Sequence, residues 1–471
     1  MNSLAVEKYR ESIVSGSILI TMIRLGTPLM IADLIGLVYM VTDAYWLSRF
    51  SQYVLSVPGQ WFPMFFILAS FLMGISAANL ALVSQYVGAK LYNKASEVSS
   101  KMFTLCLLTS VILALVFHIV KRYAYFYIIR PPPEIFDEVL DYVSIMVLDL
   151  VIFGIGMAIG TILQAIGDTK TPAITMSIGA LINAILDPIF IVGLDPLPAM
   201  GVRGAAIATV ISRSLGTGLL YYIVRRKYPD IKIKLTNIDD IEWLLLTIKV
   251  GLPVTILTIS DGFAFTFQQA LVNTLGVVVV TAAAVGFIAI HIANAVLRGF
   301  AMSISIMVGQ NLGAGNADRA RKIALTAAHI LSLAVLMGSI FVYLARRYII
   351  TVFANEPEVV VEAEKFVSVI VWSFPFTILS FLGMSVGRGS GHNEIPTMLN
   401  IVKFWVIRVV VGWALALTIG LNATTMWILI ASSEVIGGIA SYTWIRYGNW
   451  VKPIIKLPTQ ILPTKTISSL Q

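Results

Sequence analysis

Charged residues are scarce in this chain: only 12% of its 471 residues are Asp, Glu, Lys or Arg, whereas 58% are hydrophobic. The mean hydropathy of +0.87 lies far above that of soluble domains, in which about 25% of residues are charged. A single cysteine excludes an intramolecular disulfide. The shortage of charge excludes a soluble domain and predicts an all-α polytopic membrane protein.

Catalytic motifs are also missing. The sequence contains no H-E-x-x-H, no paired Cys/His cluster and no G-x-S-x-G with partner residues, so we expect neither an enzyme nor a bound cofactor. The formal net charge of +8 does not predict nucleic-acid binding. The basic residues lie in short loops between apolar spans, where they set the orientation in the membrane.

Twelve apolar spans are predicted, after residues 1–17, which we expect to form an interfacial helix. Their approximate bounds are 20–48, 54–84, 101–121, 138–164, 171–194, 204–224, 243–272, 278–309, 321–345, 359–387, 395–420 and 424–446. Lys and Arg concentrate in the two terminal segments and in alternate loops. This asymmetry predicts a multi-pass protein of the plasma membrane with both termini in the cytoplasm.

The second half of the chain repeats the first at an offset of 225 residues. The matching pairs are Gly26 and Gly251, Pro28 and Pro253, Gly74 and Gly299, Gln85 and Gln310, and Gly88 and Gly313. Six spans is an even number, so the two halves share one orientation and are related by an axis along the membrane normal. We predict an N-terminal lobe (1–228), a C-terminal lobe (229–450) and a basic cytoplasmic tail at the membrane surface (451–471).

The glycine–glutamine pairs near the inner ends of spans two and eight are a feature of this repeat. We expect Gly88 and Gly313, with Gln85 and Gln310, to shape tight inner turns.

The first span carries Pro28 and two carboxylates, Asp33 and Asp43. A carboxylate inside a span costs about 2.5–3.5 kcal/mol on insertion scales, which makes each one a functional hypothesis. Asp43 lies roughly 25 Å from the inner end at ~1.5 Å per residue, whereas Asp33 is nearer that end and is expected to bond locally. Pro28 lacks an N–H group and is predicted to hinge the helix.

The fifth span supplies a second carboxylate at a similar depth. Asn183 and Asp187 are spaced i and i+4 and share a helix face. Oxygen ligands suit a hard cation, and two neighbouring carboxylates in a low dielectric share a proton, so Asp43, Asn183 and Asp187 predict a Na⁺ or H⁺ site. The alternative is that these carboxylates cap a helix or pair with an arginine. Asp149 in the fourth span either joins the site or lies in the headgroup zone.

The second half lacks this pair, because Gln268 takes the place of Asp43 and Val411 that of Asp187. We therefore expect ion coupling in the first half. Arg298 lies about 18 Å deep in the eighth span and needs a partner, for which Asp261 is the candidate.

A substrate cavity is predicted beside the ion site, because aromatic faces bind flat organic cations. Its candidate lining residues are Tyr39, Trp46, Trp61, Phe62, Phe65 and Gln268.

Several motifs, in this order and spacing, resemble the multidrug and toxic compound extrusion (MATE) transporters. They are Pro28 with Thr42-Asp43, LVSQYVGA (82–89), GDTKTP (167–172), NAILDP (183–188) and VGQNLGAG (308–315). The resemblance implies two six-helix bundles around a central cleft, exporting organic cations in exchange for Na⁺ or H⁺ by alternating access. It places the coupling ion on Asp43, Asn183 and Asp187 and the bend of the first span at Pro28.

The same superfamily offers an alternative function, a flippase for lipid-linked saccharides or lipid precursors. Arg213, Arg298 and Arg408 could bind a pyrophosphate, although the carboxylates of the first lobe count against this reading. In either case we expect small-molecule substrates, a bilayer environment and a monomer.

Overall fold

The structure, a computed structural model, describes residues 4–51, 56–418 and 420–456, with only the backbone described for 288–293. These residues form helices and no β-strand. The helices are α1 (Leu4–Val14), α2 (Ile18–Phe50), α3 (Val57–Gly88), α4 (Tyr92–Ala124), α5 (Phe136–Ile166), α6 (Lys170–Asp187), α7 (Gly201–Lys227), α8 (Ile241–Asn273), α9 (Val277–Gly313), α10 (Ala317–Thr351), α11 (Pro357–Ile370), α12 (Phe374–Ser390), α13 (Glu394–Ile401), α14 (Val411–Thr418) and α15 (Ala423–Tyr447).

Membrane spans account for nearly all of this structure. Among the described residues, eleven helical segments are long and apolar enough to cross a bilayer. The predicted eighth span lies in α9, which contains the backbone-only residues 288–293. The all-α polytopic fold predicted from hydropathy is confirmed.

Two equivalent loops show the repeat at the level of the backbone. Gly167 ends α5 and Gly391 ends α12, both in the left-handed conformation with φ of 106° and 82°. Glycine adopts this conformation without a Cβ penalty, which is why it closes both helices at the same place in each repeat.

Each lobe has its own interior. In the first lobe α3 packs on α4 and α5, α5 packs on α7, and α6 lies between α2 and α7. In the second lobe α12 packs on α9, α10 and α15. The lobes meet where α3 lies along α8 and α9 and where α2 lies along α9.

Besides the π-helical stretch Tyr125–Ile129 that follows α4, two others lie among the described residues; π-helical turns widen the helix and are frequent at functional sites. The stretch Pro188–Gly193 continues α6, and the stretch Val402–Val410 joins α13 to α14. Pro188 begins the first of these, since it cannot donate to the helix ladder.

The two lobes are held together at one end of the molecule, here called the linker end, where α3 and α9 finish and the interlobe linker 228–240 packs. A Cβ added to Gly88 would lie 2.0 Å from the carbonyl oxygen of Gln310, and one on Gly313 would lie 1.9 Å from that of Gln85. The amide of Gln85 donates to the carbonyl of Ser390 at 3.0 Å, across the lobes.

Gln310 makes the equivalent contact in the other direction, donating to the carbonyls of Ala165 and Ile166 at 2.8 and 3.0 Å. The expected tight turns do follow α3 and α9, where the N–H groups of Lys90 and Gly315 donate to the carbonyls of Val87 and Leu312, but the glutamine side chains bond across the lobes rather than within these turns. The small size of the glycines and the amide groups of the glutamines serve close packing between the lobes, which sequence spacing along one helix does not reveal.

The terminal segments also pack at the linker end. The predicted N-terminal helix is confirmed as α1, where Arg10 donates to the carbonyl of Gly88 at 2.8 Å. The described part of the tail lies on the protein rather than on a membrane surface. Trp450 is buried, and the N–H of Ile454 donates to the side chain of Gln85 at 2.9 Å. The rest of the predicted tail, 457–471, lies outside the described residues.

Candidate cation site and its surroundings

The packing of α2 against α6 brings the three predicted cation ligands together. The carboxyl groups of Asp43 and Asp187 lie within hydrogen-bonding reach of each other. The amide of Asn183 donates to Oδ1 of Asp187 at 3.1 Å, one helical turn away. Asn183 and Asp187 are fully buried.

The site has more acceptor oxygens than donors. Oδ1 of Asp43, Oδ1 of Asn183 and Oδ2 of Asp187 are buried and have no hydrogen-bond partner among the described residues. A buried polar oxygen without a partner carries a large desolvation penalty. Oxygen-only ligands fit a hard monovalent cation, and the carboxylate pair equally fits a shared proton.

Asp149 is fully buried inside the first lobe. A guanidinium nitrogen of Arg213 donates to its Oδ2, whereas its Oδ1 has no partner among the described residues. Arg213 is also within electrostatic range of Asp43. The alternative to a cation site is an ion pair with an arginine. That alternative describes Asp149 better than Asp43 or Asp187.

The hydroxyl groups of Thr209 and Tyr142 lie near this cluster and were not predicted. The hydroxyl of Thr209 lies 2.7 Å from that of Tyr39, so a hydrogen bond joins α7 to α2 beside the carboxylates. Tyr142 is buried within electrostatic range of Asp43 and Asp149. Arg213 was visible in the sequence as a charge inside a span, but Thr209 and Tyr142 carry no sequence signal of their own.

The predicted cavity residues separate into two groups. Phe62 is 43% exposed and stacks on Phe66, while Tyr39, Trp46 and Phe65 are half-buried. Trp61, in contrast, is only 4% exposed and packs against Phe65 and Phe117.

Gln268 is also fully buried, where it accepts a hydrogen bond from Arg408. Trp61 and Gln268 therefore present almost no exposed surface for a substrate in this conformation. An aromatic or amide side chain in a span packs inward as readily as it faces a cleft.

The partner predicted for Arg298 is also wrong. Its guanidinium lies 3.7 Å from Asp33 of α2, in the opposite lobe, and not against Asp261. Asp261 instead accepts hydrogen bonds from Asn400, at 3.2 Å to each carboxylate oxygen. Asp33 thus pairs across the lobes rather than locally. Depth along a helix was known from the sequence, but the rotation of the helix was not.

Comparisons with known proteins agree with this architecture. The MatE family model matches residues 28–189 and again 253–414, one match in each lobe at the repeat offset. The chain is 26% identical over 403 residues to the "Probable multidrug resistance protein YoeA" of Bacillus subtilis (strain 168), covering 84% of this chain and 86% of that protein.

Solved structures share the fold. A MATE crystal structure in a bent conformation aligns with a TM-score of 0.85 at 20% identity, covering 93% of this chain and 96% of the other. A MATE structure in a straight conformation aligns with a TM-score of 0.84 at 20% identity, covering 92% and 97%.

The flippase alternative is not favoured, because Arg213 and Arg408 are paired with carboxylates and the Bacillus subtilis relative is named a probable multidrug resistance protein. The repeat, the cross-lobe packing and the two family-model matches agree with one another. The chain belongs to the MatE family, the multidrug and toxic compound extrusion transporters of small molecules across membranes.

Proposed function

We propose that the protein is an antiporter that exports small amphipathic or organic cationic compounds in exchange for Na⁺ or H⁺. One observation carries the proposal: three buried acceptor oxygens, on the neighbouring residues Asp43, Asn183 and Asp187, lack hydrogen-bond partners among the described residues. A bound cation or proton supplies the missing interactions.

The local charge supports the same conclusion. Among the described residues, Arg213 is the one cation within electrostatic range of Asp43 and Asp149, and Asp187 interacts with Asp43 and Asn183, so the ionised cluster carries an excess of negative charge in a low dielectric. One monovalent cation, or a proton shared by Asp43 and Asp187, removes part of that excess. The site therefore favours binding of Na⁺ or H⁺ from whichever side of the membrane it faces.

α2 connects this site to the contact between the lobes. It carries Asp43 at the cation site, Asp33 opposite Arg298 of the second lobe, and Pro28 within the helix. We propose that loading changes the shape of α2 about Pro28 and thereby alternates access to the cleft. The solved MATE structures of similar fold in bent and straight conformations support such a hinge.

Substrate binding is assigned to the first-lobe wall of the cleft, where Tyr39, Trp46, Phe62 and Phe65 retain exposed surface. Since ion and substrate must not travel together, filling the cation site competes with substrate. Both repeats and the cleft between them belong to one chain, so a monomer suffices. Both termini and the linker end face the cytoplasm.

Efflux from proteoliposomes tests this function. Substrate-loaded vesicles holding purified protein should release a cationic dye against its own gradient when a sodium or pH gradient is imposed, and stop when an ionophore collapses that gradient. If neither gradient drives release of a dye that binds the protein, the antiport proposal is wrong.

A further inference from the structure

The second lobe contains a buried polar cluster centred on Arg408, in the π-helical stretch Val402–Val410. Its guanidinium donates to Oε1 of Gln268 at 3.2 Å, to the hydroxyl of Ser433 at 2.6 Å, and to Glu434. Arg408, Gln268 and Ser433 are all buried. All three guanidinium nitrogens of Arg408 are therefore bonded to acceptors.

This cluster occupies the position in the second repeat that the cation site occupies in the first. Gln268 is the equivalent of Asp43 at the repeat offset of 225 residues. Residues 407–411 correspond to 183–187 at the offset of 224 that relates Pro172 to Pro396. Arg408 therefore lies on the segment that repeats the Asn183–Asp187 ligands and contacts the residue that repeats Asp43.

The polar clusters of the two lobes differ in which buried groups lack a hydrogen-bond partner. In the first lobe the unpartnered buried atoms are acceptor oxygens, whereas in the second the unpartnered atom of Gln268 is the donor Nε2, among the described residues. The charges are opposite in balance as well.

In the second lobe two cations offset two carboxylates. Lys403 lies 3.2 Å from Glu434, which also pairs with Arg408, while Asp261 is nearby on α8. The second-lobe cluster therefore does not require an external cation to balance its charge, and the first-lobe cluster does.

We infer that the second lobe retains a monovalent-cation site whose place is permanently filled by the guanidinium of Arg408. The inference rests on the proposed first-lobe cation site. It assigns one exchangeable cation-binding cluster to each molecule, because a tethered guanidinium cannot dissociate. The second lobe then contributes packing contacts with the first lobe but does not respond to the ion gradient.

Chemical rescue tests the filled site directly. Purified Arg408→Ala protein should bind one equivalent of methylguanidinium saturably and regain lost thermal stability in its presence. Wild-type protein should bind none. Arg321→Ala is the matched control, since the Arg321 guanidinium also donates hydrogen bonds, but to the backbone carbonyls of Arg446 and Gly448 at the linker end. Folded Arg408→Ala protein that binds no methylguanidinium would overturn the inference.

Cation counting provides an independent readout that does not require the Arg408 variant to fold. Saturable uptake of Na⁺ or protons by the purified protein should disappear in Asp43→Asn and keep its stoichiometry in Glu434→Gln. Uptake that survives Asp43→Asn and disappears in Glu434→Gln would place the exchangeable cation in the second lobe.

The two proposals fail in different ways. Wild-type protein that takes up neither Na⁺ nor protons contradicts the antiport proposal. Methylguanidinium binding by Arg408→Ala then still decides whether the second lobe contains a site that binds a monovalent cation.

Discussion

The buried carboxylate of Asp149 forms an ion pair with the partly exposed Arg213 beside the carboxylates of the cation site. Because Arg213 already partners this carboxylate, we expect Asp149→Asn to keep ion-driven efflux, so that the site has two exchanging carboxylates and not three. Arg213→Gln leaves Asp149 buried without its charge partner and should lower the free energy of unfolding by about 3 kcal/mol.

Thermal unfolding in detergent measures both variants of this pair. The double variant Asp149→Asn/Arg213→Gln should be more stable than Arg213→Gln alone, because the uncompensated charge is gone. Loss of ion-driven efflux in a well-folded Asp149→Asn protein would make Asp149 a third coupling carboxylate.

The sequence predicted contacts between single residues correctly where depth in the span and position on one helix face were enough to define them. Asp43, Asn183 and Asp187 meet because two carboxylates at equal depth on neighbouring spans have few other partners in a bilayer. The prediction failed for Arg298, whose partner depends on how α2 and α9 rotate against each other. Spacing along one helix contains no information about that rotation.

At the scale of single helices, Pro28 is the proposed hinge of α2, which nevertheless runs continuously from Ile18 to Phe50. Pro28→Ala restores an N–H that can bond the carbonyl of residue 24 and stiffens this turn. The variant should fold and lose most transport by favouring one cleft orientation. Pro63→Ala in α3 is the control, and wild-type efflux by Pro28→Ala would remove the hinge from the mechanism.

The contact between α3 and α9 makes a second prediction at this scale. Any side chain at Gly313 collides with the backbone of Gln85, since a Cβ would lie 1.9 Å from that carbonyl oxygen. Gly313→Ala should fold, because each lobe also has a hydrophobic cluster of its own away from the linker end, but should separate the lobes at the linker end and reduce transport at least tenfold.

Spin labels at residues 90 and 316 report this separation as a longer distance in Gly313→Ala than in wild type. Gly338→Ala is the matched control, because no atom lies within 4 Å of an added Cβ there. An unchanged distance in Gly313→Ala would show that the close approach does not limit closure.

For the whole molecule, hydropathy and the repeat predicted most of the architecture. Apolar spans of bilayer length must be helical, and an even number of spans per repeat sets their common orientation. The closed linker end was not predicted, because it depends on contacts between lobes that lie far apart in the sequence. Gln85 and Ser390, 305 residues apart, are one such contact.

The orientation in the membrane remains a prediction for the whole molecule. Asn237 is exposed in the interlobe linker, and Glu134 is exposed in the acidic loop before α5. In cells, an impermeant maleimide should label Glu134→Cys from outside and Asn237→Cys only after permeabilisation. The buried Cys106 gives little background. Labelling of Asn237→Cys from outside would overturn the proposed topology.

The central claim is that the first-lobe carboxylates couple the ion gradient to export. Its most direct test is uphill efflux from proteoliposomes by wild type, Asp43→Asn, Asp187→Asn and the double variant under one imposed gradient. Each single variant should fold and lose gradient-driven efflux, and the double should be little worse than either, because residues that act as one unit are not additive. If Asp43→Asn still pumps substrate uphill, the coupling site lies elsewhere and the account is wrong.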